Sequence, residues 1–208
     1  MTRFEHLTKE MQELVPFRIK YKDESWEMQL LAAFSAPFCP TFLTEYTTVI
    51  GSTIYFPSRE YLLHRSDRAE RVLAHEVVHL LDAERFSEPV FMGAYLFPQI
   101  LALGVLTFPL LGWWSLLFLL FLLPLPAPFR FYFESRAYAI DVLTAHPHDR
   151  ELVLEWAVEQ FCGWNYYKMF PFRNWVRRSI MHWVAQTEKG KDQALLKVLL
   201  IYEMAVES

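Results

Sequence analysis

Cysteine is scarce in this 208-residue chain. Cys39 and Cys162 are too few for a disulfide framework and lack the paired spacing of a thiolate zinc site; both read as ordinary semi-buried thiols. Positive charge is not in excess either. Twenty Lys and Arg stand against 24 Asp and Glu, a net charge of -4, so a nucleic-acid partner bound by phosphate neutralisation is not expected. Only Arg173, Arg177 and Arg178 cluster, as on a solvated helix face. Residues 1–15 alternate charged and apolar side chains without a continuous apolar core, so a secretory signal is not expected. Internal repeats and low-complexity tails are also missing.

The last absence is local. Residues 89–129 hold no charged side chain over 41 positions, while the rest of the chain carries all of them. A hydrophobic content of 53% excludes disorder. The length suits one domain, 1–208, carrying an apolar insertion at 89–129.

Hydrophobic spacing reads as helices over 2–14 and 25–34, with a short strand at 17–21 between them. Residues 42–56 are β-branched and aromatic, broken by Gly51-Ser52, which suits either a two-residue hairpin turn or one bulged strand. Asp67 and Glu70 resemble a capping pair at the start of a helix over 68–85. Further helices are expected at 131–145, 149–161, 172–186 and 192–206.

The chemistry lies in the run His75-Glu76-Val77-Val78-His79. Four residues apart on a helix, His75 and His79 share a face and can reach one ion, and Glu76 lies beside them, where it can take a proton from an attacking water. Residues 72–81 around the motif are uncharged apart from Glu76, as expected of a helix buried on both sides of such a face.

On these residues the chain resembles the zincin metallopeptidases, whose wider motif also asks for uncharged flanks. The third-histidine continuation of the metzincins is missing after His79. The gluzincin arrangement remains, and its glutamate helix is similar to Glu134-Ser135-Arg136-Ala137, where Glu134 is the only acidic residue between Glu88 and Asp141. The resemblance thus implies a zinc ion, Zn2+, held by His75, His79 and Glu134. Glu134 could equally be a helix-terminal carboxylate paired with Arg130 or Arg136. Asp141, seven residues after Glu134, and Asp82, one turn after His79, compete to orient a ligand imidazole. Tyr138 and His182 are candidate donors to an oxyanion. No role falls to His6, His64, His146 or His148. The resemblance also implies an α+β, mostly helical fold: a small antiparallel sheet with 47–55 as its edge strand, the HExxH helix and the glutamate helix.

The insertion interrupts this layout between the two ligand-bearing helices. Its apolar length exceeds one membrane span, but 109–112 divides it into two pieces, each short of the roughly 20 residues a crossing needs. A short or dipping helical hairpin fits. Ligands on both sides of the insertion must meet on one side of a bilayer, so the segment crosses twice or not at all. Some membrane-bound gluzincins also carry paired membrane helices here. The expectation is a membrane-associated zinc peptidase acting on a peptide or protein substrate, its catalytic part facing the cytoplasm. The alternative is a membrane or assembly scaffold with a structural or vestigial metal site, whose hairpin lies in an oligomer interface.

Overall fold

The computed structural model describes residues 2–35, 41–164, 168 and 170–207. Cys39 lies outside them, as do 165–167 and 169 of the aromatic stretch near Cys162. The chain is mostly helical, with a small mixed sheet, and clusters into two compact units: Met1–Leu80 with Lys197–Ser208, and Leu81–Leu196.

The first unit opens with α1 (Arg3–Leu14), which starts on a capping box: Thr2 Oγ1 accepts from the Glu5 amide and Glu5 returns its carboxylate to the Thr2 amide. Leu7 and Met11, one turn apart, are buried. Then follow β1 (Arg18–Tyr21), α2 (Trp26–Ser35), β2 (Thr48–Ile50) and β3 (Thr53–Phe56). Gly51 takes φ 58° at the first position of the two-residue turn, so β2 and β3 form a hairpin rather than one bulged strand.

The strand order is β1-β3-β2, with β1 parallel to β3 from Arg18↔Thr53 to Tyr21↔Phe56. This corrects the antiparallel sheet expected from the resemblance. A parallel partner needs a long crossover, and the stretch containing α2 supplies it. Residues 47–55 are therefore not one edge strand: β2 is at the edge, while Tyr55 belongs to the central strand. Central placement explains why Ile54, Tyr55 and Phe56 are buried in succession instead of alternating.

Helix α3 (Arg59–His64) is capped by Ser58, whose hydroxyl accepts from the Tyr61 amide. Helix α4 (Ser66–Phe86) then runs 21 residues. Asp67 and Glu70, read as a capping pair, both receive Arg3 of α1, at 2.6 and 2.5 Å. Ala69, Leu73, Ala74, Val77 and Val78 bury the middle of α4.

In the second unit, α5 (Glu88–Leu96) leads into a 3-10 arm (Gln99–Thr107), the short α6 (Phe108–Leu111) and a second 3-10 arm (Gly112–Leu122). By length and composition Gln99–Leu122 is apolar enough to cross a membrane, and only 6% of its apolar 18-residue window is buried. Its path is nevertheless a reversal and not one rod. Gly112 takes φ 53°, a left-handed value that suits glycine, and the Phe118 ring of the second arm fills the space beside Gly104 of the first. The ends of the hairpin meet again at the Phe97 and Phe129 rings, 5.7 Å apart.

Helix α7 (Pro128–Thr144) starts three residues earlier than expected, with proline in its first turn, so Glu134 lies in its second turn and does not open it. It is buried on nearly all sides, the pattern of a central helix. Phe131 stacks on Phe170 at 4.2 Å, Phe133 packs on Phe91 at 4.7 Å, and Tyr138 lies between Trp156 and Phe161. Helices α8 (Arg150–Cys162), α9 (Arg173–Glu188) and α10 (Gln193–Glu207) complete the chain. The arginine cluster of α9 is answered by acids of α8: Arg173 meets Glu155 and Glu159, and Arg177 meets Glu151 and Glu155.

Candidate metal centre

Helix α4 presents His75 and His79 one turn apart with their rings edge to face, centroids 5.1 Å apart. Their exposures are 8% and 7%, and the neighbouring Ala74, Val77 and Val78 are buried as well. Glu76, between them in sequence, is half-buried.

Glu134 is 1% exposed on α7. An isolated carboxylate at that depth would be costly, and the Tyr95 phenol of α5 donates to its Oε1. Tyr95 is held in turn by Arg130, whose Nε donates to the Tyr95 carbonyl at 3.1 Å and whose guanidinium lies 4.6 Å from the ring centre. Arg130 and Arg136, the two expected partners of Glu134, are thus occupied with Tyr95 and with the acids described next.

Arg136 is a fully buried cation, 1% exposed. Its guanidinium meets Asp82 at the far end of α4 and reaches Asp192 at 2.9 Å. Burial works against its charge, but Asp82 and Asp192 outweigh that and raise the pKa above the ordinary arginine value. In the chain, Asp82 follows His79 by three residues and Arg136 follows Glu134 by two. Asp82, expected as a partner for a ligand imidazole, is therefore engaged with Arg136.

His75, His79 and Glu134 each offer one ligand atom, all within 4.8 Å of one another, and all three residues are buried. The group can hold a metal ion. Two imidazole nitrogens and one carboxylate oxygen are a donor set that suits zinc and other divalent ions alike.

The remaining expected residues are placed elsewhere or less directly. Asp141 is buried two turns beyond Glu134 on α7. Tyr138 is enclosed by Trp156 and Phe161. His182 is exposed on α9, where it lines a cleft of about 740 Å³ with Tyr132, Trp175 and Trp183. Tyr95 escaped the sequence reading. The signal available was a lone phenol six residues into the charge-free stretch, where a hydroxyl has few partners to choose from.

No family model, curated protein or solved structure matches the chain.

Proposed function

We propose that this protein is a membrane-associated, zinc-dependent peptidase of gluzincin type. The observation that carries the reading is the buried His75, His79 and Glu134 group, with two ligands one helical turn apart and the third from a separate helix. Zinc, when bound, supplies the Lewis acidity that polarises a peptide carbonyl and acidifies the attacking water. His75 and His79, both buried, present their imidazoles from one face of α4, so both can reach one cation. Glu76 accepts the proton of the attacking water and passes it to the leaving amine; its partial exposure suits both transfers. At the sheet edge, β2 can take an extended peptide as an added strand.

The hairpin gives the reading its location. At about 2.0 Å per residue, arms of nine and eleven residues reach roughly 18 and 22 Å, short of the ~30 Å hydrocarbon core. We infer that it enters the bilayer from one face and returns. Contacts between Tyr95, before the hairpin, and Glu134, after it, agree with both ends lying on the same side.

The test is Glu76→Gln. It should keep zinc while peptide hydrolysis falls by at least about a hundredfold, read by fluorescent-peptide turnover beside elemental analysis. Turnover at the wild-type rate contradicts the mechanism. The exposed apolar hairpin favours the scaffold as the second reading, and that reading requires Glu76→Gln to leave the cellular function unchanged.

A further inference from the structure

The Tyr95 phenol touches Glu134 but has no part in the proton transfers assigned to Glu76. Its surroundings are nonetheless specific. Arg130 fixes its backbone and covers one side of its ring, and Phe91, one turn earlier on α5, lies 5.6 Å away. Arg130 sits one helical turn before Glu134 on α7, so the same helix carries both the ligand and the clamp on the ligand's hydrogen-bond donor. Tyr95 and Phe97 precede the apolar hairpin, while Phe129, Arg130 and Glu134 follow it. The contacts Tyr95 to Glu134, Arg130 to Tyr95 and Phe97 to Phe129 therefore join the hairpin's two ends at the carboxylate.

We propose that Tyr95, clamped by Arg130, is a positioning residue for Glu134 that fixes the carboxylate for metal binding and ties it to the base of the hairpin. The proposal rests on the metal reading above. A glutamate carboxylate turns over a broad torsional range, and either oxygen, or both, can meet a cation. A phenol donating to Oε1 narrows that range and directs the other oxygen to the ion. Hydrogen-bond partners of metal ligands are worth about 10- to 100-fold in metal affinity. A purely space-filling Tyr95 would need only some acceptor for its hydroxyl, and phenylalanine would then leave the metal untouched.

The experiment uses the full-length protein in detergent and three forms: wild type, Tyr95→Phe, and Arg130→Gln, which keeps the phenol but loosens its clamp. Zinc affinity is measured by chelator competition, and the visible spectrum of the cobalt(II)-loaded protein reports ligand geometry. Tyr95→Phe should keep one site per chain, bind zinc about tenfold or more weakly, and shift the cobalt bands. Arg130→Gln should move both readouts the same way by less. If wild type binds one zinc and Tyr95→Phe matches it in affinity and cobalt spectrum, the positioning role is overturned and the metal centre stands. If wild type binds neither metal, both fall. Should Tyr95→Phe fail to fold, an unchanged affinity and spectrum in Arg130→Gln overturn the proposal.

Discussion

Helix α7 and the hairpin that precedes it invert the usual distribution of side chains in opposite ways. Helix α7 takes Glu134, Arg136 and Asp141 inside, whereas the hairpin leaves Leu110, Trp113 and Trp114 exposed at 86%, 78% and 76%. Two of these buried groups meet partners within the protein: Arg136 meets Asp82 and Asp192, and Glu134 accepts from Tyr95. The hairpin's apolar side chains stand exposed, and large exposed apolar surfaces are commonly used for membrane or partner contacts. One region is therefore organised around what the protein supplies to itself, the other around what its surroundings must supply.

Breaking the inside half of this comparison should have the largest effect. Arg136→Ala leaves Asp82 buried without its cation, and loss of one partner from a buried pair costs about 3–5 kcal/mol. Urea unfolding in detergent should show that loss, and a midpoint equal to wild type would mean that the pair contributes nothing. The outside half is broken by Leu117→Glu. If the hairpin enters the bilayer as proposed, a charge in its second arm should weaken vesicle binding by about 2–3 kcal/mol, roughly a hundredfold, with metal content unchanged in detergent. Flotation with liposomes at the wild-type level would remove the membrane from the account. The smallest effect sharpens the contrast. Arg177 makes two carboxylate contacts, as Arg136 does, but at the surface, so Arg177→Ala should cost no more than about 1 kcal/mol in the same unfolding assay.

Much of this contrast was legible in the chain itself. The spacing of His75 and His79, the uncharged flanks and the absence of charge over 89–129 are local properties, and local periodicity is what helices and apolar segments obey. The turn at Gly51-Ser52 was legible for the same reason, as one of two readings. Long-range pairing was not. The parallel partnership of β1 with β3 joins residues 35 positions apart, and nothing in either strand states its direction. Residue type announced Asp82 as a polar group near the ligands but not its partner, Arg136, which lies 54 positions away in the chain. Tyr95 was hidden for a related reason: a tyrosine in an apolar run looks like packing until the fold brings a carboxylate to its hydroxyl.

The central claim is that His75, His79 and Glu134 form one metal centre. Its most direct test is elemental mass spectrometry of the detergent-extracted full-length protein, wild type beside Glu134→Ala. The account requires about one zinc per chain in wild type, lost or strongly weakened in the variant. Wild type that carries no metal after zinc loading, or Glu134→Ala that holds zinc as tightly as wild type, would contradict it.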